Sequence, residues 1–363
     1  SYNYTFLGWQ VANVGSKDLY TTISFSGNST GDVTLKMHWG KVNNSLRYMA
    51  KEDEEGYYLS AGRSAGYSMP KIVEIADYVK LSEVYNGKYI DDDKIEHIYT
   101  YYSAIIVGED FYNLFDAPQD NGIYKVKEVY GRFTLPNGQY YTNFMTFENS
   151  GITDIKLGKF VETIGSYAFF RTNFTTFTAS DSLKTINEGA FMQCNSLTSV
   201  NLNKVNTLGL GAFYQCNALQ SVVCGQLNEI GKLAFYQCNS LQSVDFGSVE
   251  TIGEQAFNGC GSLQSLDLKN VKTIGQGAFY QCNNLVTVSN ATKLSSVDTS
   301  AFSYNSSLKT VDFSASQLTS IGASVFYNCY SLENIKMPNT LTEISRSAFY
   351  LCKSLREISI PSS

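Results

Sequence analysis

The pair Ala-Phe recurs through the second half of this chain at a near-constant spacing, and no other feature narrows the possible folds as far. Phe169, Phe191, Phe213, Phe235, Phe257 and Phe279 follow one another every 22 residues, and Phe302, Phe326 (preceded by Val325) and Phe349 continue at intervals of 23, 24 and 23. Around most of these Phe the same phrase returns. An Ile-Gly or Leu-Gly lies four or five residues earlier, a Cys three later and a Leu six later; two more apolar residues follow at the third and fifth positions beyond that Leu, as in Leu241, Val244 and Phe246. A unit this short cannot bury its one apolar edge alone. Copies must stack, and the spacing predicts a β-rich solenoid of nine coils over residues 141–363.

Within a coil, Leu241 to Phe246 reads as a short strand, with Val244 and Phe246 inward and Ser243 and Asp245 outward by two-residue alternation. Val249 to Gly253 reads as the segment that turns the chain, and the Ala-Phe segment as a single helical or 3₁₀ turn that pushes its ring into the core. Strands stacked at roughly 4.8 Å make nine coils a rod on the order of 45 Å long.

Seven of the eight cysteines share one slot of the repeat: Cys194, Cys216, Cys238, Cys260, Cys282, Cys329 and Cys352. Asn305 takes that slot in the coil at Phe302, and Asn149 is expected to take it in a degenerate coil ahead of the first Ala-Phe. Asn and Cys exchanging in one column mark an interior ladder whose side chains meet the backbone of the neighbouring coil. Evenly spaced thiols along a rod form no tetrahedron for a metal, and parallel stacking disfavours the disulfide torsion. Cys224 aligns with Leu202, Phe246 and Leu268 and reads as a small core residue.

Ile-Gly-x-x-Ala-Phe-x-x-Cys-x-x-Leu, as in Ile230 to Leu241 and Ile252 to Leu263, resembles the BspA-like leucine-rich repeats, and the resemblance covers roughly residues 144 to 363. It implies a right-handed solenoid and a surface protein, adhesive toward host proteins or other cells in several relatives. It carries no catalytic residues to transfer and no cofactor. The Pro that usually ends the strand survives here at Pro338 and Pro361, while Gly247 and Asn203 stand in its place elsewhere.

Two outward columns are candidate binding stripes. Tyr214, Tyr236, Tyr280, Tyr327 and Tyr350 each follow the core Phe, with Gln193, Gln215, Gln237 and Gln281 beside that column. Aromatic side chains give large contact area for few frozen torsions, though tyrosines stacked coil on coil also serve to shield a core edge. Ser199, Ser221, Ser243, Ser265, Thr287 and Thr310 line the outward strand face, flanked by Asp245, Asp267 and Asp312, and suit a broad contact better than a small-molecule pocket.

Residues 1–140 lack the repeat and read as a separate α+β domain that covers the first coil. Thr21 to Ser26 and Val33 to Trp39 alternate like strands around the turn-forming Gly27 to Gly31, followed by an acidic surface stretch at Glu52 to Glu55. Ser68, Pro70, Ile72, Ile75, Ala76 and Val79 suggest one capped helix, and Asp91 to Asp93 with Ile95, Ile98, Tyr99 and Tyr102 a second. The triple Asp lacks the Gly and Glu of a calcium loop. His38 and His97 are the only histidines, and no Gly-x-Ser-x-Gly nucleophile motif accompanies them, so no enzymatic role is expected.

A net charge of −6, from 27 basic and 33 acidic residues without a basic run, gives no footprint for nucleic acid. No apolar stretch is long enough to span a membrane, and Ser1 to Gln10 do not resemble a signal peptide, so a secreted form would have lost its signal already. The 26 Tyr and 22 Phe amid abundant Asn, Ser, Gly and Thr lean toward an extracellular or cell-surface protein. Six Asn-x-Ser/Thr sequons, at Asn3, Asn28, Asn43, Asn173, Asn290 and Asn305, are what such a composition yields by chance. The expected partner is a protein or glycan on a host or neighbouring cell. The alternative is a structural subunit that self-associates through its last coil, Ile358 to Ser363, which has no polar capping repeat.

Overall fold

The computed structural model describes residues 3–11, 35–42, 46–54, 56–63, 71–75, 78–90, 96–106, 123–134, 140–141 and 146–358. The chain divides into two units, one of residues 1–70, 74–129 and 156–161, the other of 71–73, 130–155 and 162–363. Thr21 to Ser26, the turn at Gly27 to Gly31, Ser68, Pro70 and Asp91 to Asp93 lie outside the described residues.

Among the described residues up to 129 there are eight strands: β1 (Asn3–Val11), β2 (Leu35–Val42), β3 (Leu46–Asp53), β4 (Gly56–Arg63), β5 (Ile72–Glu74), β6 (Tyr78–Ile90), β7 (Glu96–Ile106) and β8 (Ile123–Val129). In the first unit β1, β2, β7, β3 and β4 follow one another antiparallel, β8 runs parallel to β4, and β6 pairs with both β7 and β8. No helix occurs among the described residues, which corrects the two expected helices. Ile72 to Glu74 and the whole of Glu96–Ile106 are strands. The spacing of Ile95, Ile98, Tyr99 and Tyr102 mimics a helical face, yet this stretch is dense in Ile, Tyr and Thr. Such residues favour a pleated surface once a partner strand is available, and β6 supplies one from Val79↔Ile106 to Ile90↔Glu96.

In the second unit the repeats form a parallel β-solenoid. Front strands such as Ser199–Asn201, Ser221–Val223, Ser243–Asp245 and Ser265–Asp267 recur eight times from Thr176–Thr178 to Asn334–Lys336. They pair in register, Val200 to Val222 to Val244, and the middle residue points inward. The solenoid therefore has about eight complete turns rather than nine, because the coil at Phe349 adds no front strand among the described residues. Glu229–Ile230, Thr251–Ile252 and Thr273–Ile274 belong to a second ladder, so the segment typified by Val249 to Gly253 is more than a turn. Its amides bond back to the preceding coil, as Gly253 N does to Ile230 O at 2.8 Å.

The Ala-Phe segment is neither helical nor 3₁₀. Residues two before and two after each Phe take the left-handed conformation, as Leu233 (φ 58°) and Gln237 (φ 53°) do around Phe235. A left-handed residue on each side breaks any helix. What remains is a chain of tight turns whose outer amides are free to bond along the stack, Phe213 N to Ala234 O at 2.9 Å and Gln215 N to Tyr236 O at 2.8 Å. These bonds form a third ladder at the corner.

The core sits between the ladders. The Phe rings from Phe191 to Phe326 are fully buried, with successive centroids 5.0 to 5.6 Å apart. Lys71–Val73 lies along the first front-strand position, where Lys71 O accepts from Thr153 N at 2.8 Å.

Candidate functional site

The corner turn positions both the cysteine slot and the tyrosine stripe. With the Phe pinned inside, the left-handed residue two positions later rotates the chain so that Cys points back into the core, while the residue directly after Phe is left on the outer surface. Cys194, Cys216, Cys238, Cys260 and Cys282 are all fully buried and unbridged. Each thiol donates to the carbonyl of the Phe in the preceding coil; Cys216 Sγ reaches Phe191 O at 3.1 Å and Cys282 Sγ reaches Phe257 O at 3.3 Å. Cys194, Cys329 and the half-buried Cys352 do the same toward Phe169, Phe302 and Phe326, and Asn305 uses its amide toward Phe279 O. Asn149 does not occupy this slot. It is exposed at the left-handed position (φ 52°), and Ser150 and Thr172 fill the slot in the first coils.

Burial pushes the Cys194 and Cys352 thiols up to about 11 and Cys224 to about 12. It drives Cys216, Cys238 and Cys260 well above the ordinary thiol range. Such thiols are poor nucleophiles and poor metal ligands, since the thiolate does that chemistry. Among the described residues no group of His, Cys, Asp or Glu is arranged to hold a metal, and no helix is long and apolar enough to cross a membrane.

The tyrosines stack coil on coil. Tyr214 and Tyr236 lie 4.8 Å apart with their rings stacked nearly parallel, and Tyr327 and Tyr350 lie 5.0 Å apart. Between the lower and upper pairs the structure brings in a residue that sequence register missed. Tyr304 stands two positions after its Phe, in the glutamine column, yet its ring sits 5.1 Å from Tyr280 and 5.6 Å from Tyr327. Ser303, in the tyrosine position, is instead buried and bonded to Ser324 O. Partial burial, then the neighbouring tyrosine, raises the phenol of Tyr214; burial, then Tyr304, raises that of Tyr280. Tyr350 is 53% exposed. Beside the rings runs an amide ladder in which Arg171 Nε donates to Gln193 Oε1, Gln193 Nε2 to Gln215 Oε1 and Gln215 Nε2 to Gln237 Oε1 at 2.7 to 2.8 Å. Side chains that bond to their own copies one coil away hold the surface in register.

On the front face Ser243, Ser265 and Thr310 are exposed, while Ser199, Ser221 and Thr287 are half-buried. Asp245, Asp267 and Asp312 accept the backbone N–H two residues on, at 3.0 to 3.2 Å, so these acids shape the turn that leaves each strand as well as carrying charge. The Ser314 hydroxyl, opposed by partial burial and aided by Lys336, lowers the Asp312 carboxyl. Around it Thr287, Thr310, Asn334 and Glu357 border an open depression of about 730 Å³. His38 and His97 fall on β2 and β7 of the other unit.

A family profile described as the BspA type leucine rich repeat region matches residues 127–242, 212–319 and 250–363, in six copies. No curated protein matches the chain. Among solved structures, a leucine-rich repeat protein from Bacteroides ovatus is 20% identical with a TM-score of 0.54, covering 87% of this chain and 81% of its own, which supports the fold. The leucine rich repeat protein of T. pallidum is 29% identical over 44% of this chain and 78% of its own (TM-score 0.40). A leucine rich cell surface protein from Faecalibacterium prausnitzii is 19% identical over 89% and 95% (TM-score 0.39). With its 22-residue phrase, its stacked coils and a profile match over residues 127–363, this chain belongs to the BspA-type leucine-rich-repeat family.

Proposed function

We propose that this chain is a non-catalytic recognition protein, secreted or held at a cell surface, whose solenoid binds a protein or glycan partner on a host or neighbouring cell. The observation that carries this reading is the tyrosine column, partly exposed and spaced by the coil repeat. Stacking and hydrogen bonding have already ordered these side chains, so a partner that docks on them freezes little further motion. The Ser and Thr of the front face and the depression around Asp312 offer a second, hydrated contact area. Both areas are broad and shallow, as recognition of a macromolecule requires, and neither encloses a small substrate.

The test is attachment of the fluorescently labelled chain to epithelial cells before and after protease or glycosidase treatment. Replacing Tyr214, Tyr236 and Tyr280 together by serine should lower attachment at least about tenfold, a loss of about 1.4 kcal/mol, while circular dichroism stays that of the folded rod. Equal attachment by the folded triple variant would remove the tyrosine column from the binding surface.

A further inference from the structure

In one coil three surface columns are interrupted together. The segment Phe235-Tyr236-Gln237-Cys238-Asn239 is followed one coil later by Phe257-Asn258-Gly259-Cys260-Gly261. Asn258 replaces the tyrosine, Gly259 the glutamine and Gly261 the asparagine. The interior is unaffected. Phe257 keeps its place 5.3 Å from both Phe235 and Phe279, and Cys260 still bonds to Phe235 O. The backbone of the coil is therefore in register, and outer side-chain volume is lost at Asn258 and Gly261, while at Gly259 the Gln237 side chain closes in, its Cγ 3.0 Å from where a Cβ would stand.

Each neighbouring column ends on this notch with an unused face or group. Tyr236 stacks on Tyr214 and Tyr280 contacts Tyr304; among the described residues neither has a ring partner on the side of Asn258. The glutamine ladder runs with one polarity and stops at Gln237, whose Nε2 would have donated to a glutamine at position 259. The asparagine ladder runs with the opposite polarity, Asn239 Nδ2 to Asn217 Oδ1 and Asn217 Nδ2 to Asn195 Oδ1, and stops at Asn239, whose Oδ1 would have accepted from an asparagine at position 261. Asn258 turns its own amide to Gln255, at 3.5 Å. Lys232 and Glu254, which lead into this coil and the one before it, neutralise each other at 2.8 Å.

Geometry and chemistry together select the occupant. Tyr236 and Tyr280 are two coil steps apart, about 10 Å for steps of this size. One ring midway would lie about 5 Å from each tyrosine, within the range of stacked rings. The rim supplies a neutral amide donor at Gln237 and a neutral amide acceptor at Asn239, with no net charge. A pyranose ring presents C–H-lined faces to the two tyrosines and directs hydroxyls, each both donor and acceptor, to that rim. A phenylalanine ring of a protein partner would fill the same thickness and leave both amides unanswered, which costs binding energy, and a tyrosine or tryptophan brings a single polar atom to that rim.

We propose that the notch at Asn258, Gly259 and Gly261 is a subsite for one neutral pyranose residue of a glycan, held between Tyr236 and Tyr280. This deepens the recognition role proposed above and rests on it. The experiment is saturation-transfer NMR on the full chain with methyl β-glucopyranoside, methyl β-galactopyranoside and methyl N-acetyl-β-glucosaminide, with p-cresol as the planar aromatic probe. At least one pyranoside should bind the unaltered chain. Asn258→Tyr, which restores the missing ring, and Gly261→Asn, which restores the asparagine column where an added Cβ meets nothing closer than Gly259 O at 4.0 Å, should each lower that affinity at least about tenfold without lowering Tm. Absence of pyranoside binding, binding undiminished in both folded variants, or preference for p-cresol would overturn the proposal. The two readings separate cleanly: cell attachment lost in the triple tyrosine variant with no pyranoside bound leaves the recognition surface and removes the subsite. Pyranoside binding with attachment unchanged in that variant does the reverse.

Discussion

The inner and outer sides of the Ala-Phe corner repeat with the same period and obey different constraints. Inside, Phe and Cys meet their copies in a space closed on every side, and the slot three residues after Phe accepts only small side chains with a donor: Thr172, the cysteines and Asn305. Outside, Phe170, Met192, Tyr214, Asn258 and Tyr280 succeed one another at a single position, because water on one side sets no shape to match. The inner columns are therefore required by the fold, and repetition alone is weak evidence of function. It is the outer columns, and the places where they break, that bear information about a partner.

Three perturbations test this contrast, the largest first. The buried thiols favour their neutral form in the folded chain, so their contribution is complete below the ordinary thiol value of 9.0 and is lost as pH rises toward the folded values, about 11 for Cys194. Between pH 9 and 10 each fully buried thiol should remove up to about 1.4 kcal/mol of stability, and the column acts together. Urea midpoints measured at pH 8, 9 and 10 should be level and then fall steeply. Threonine at positions 194, 216 and 238 should blunt the fall, and a midpoint unchanged at pH 10 would contradict the assigned burial.

Phe257→Ala comes next, at about 3–5 kcal/mol, because the ring stacks on both neighbours and the coils above and below are held apart by their own ladders and cannot collapse into the gap. Thermal unfolding reads it directly. The smallest effect belongs to Cys238. Valine and threonine share one shape, and valine alone lacks the donor to Phe213 O, so valine should be less stable than threonine, which fills the slot at Thr172, by about 1 kcal/mol. If valine and threonine behave alike in denaturant titration, the slot is chosen for size and the hydrogen bond is incidental.

The repeat itself, the buried Phe and Cys columns and the outward Ser/Thr face were legible because each depends on the identity of residues at a fixed interval. Misread elements share a different property. Tyr304 is displaced by one position from its column and returns to it through space, which register alone conceals; an aromatic in the glutamine column between two tyrosine coils was the available clue. Asn149 and the Ala-Phe turn were misplaced because left-handed backbone at Gln, Leu and Tyr carries no compositional signal as it does at Gly. Glu96–Ile106 satisfies both helical and alternating patterns, and only its pairing with Tyr78–Ile90 decides between them.

By itself the sequence determined that the chain must stack: a 22-residue unit with one apolar edge has no other way to remove that edge from water. The tertiary structure alone decided which outer side chains meet. Tyr236 finds Tyr214 at 4.8 Å, and both Tyr236 and Tyr280 turn a free face toward Asn258, because ladder hydrogen bonds fix the rotation of each coil on the last. That rotation is a property of coils in contact and is encoded in no single repeat.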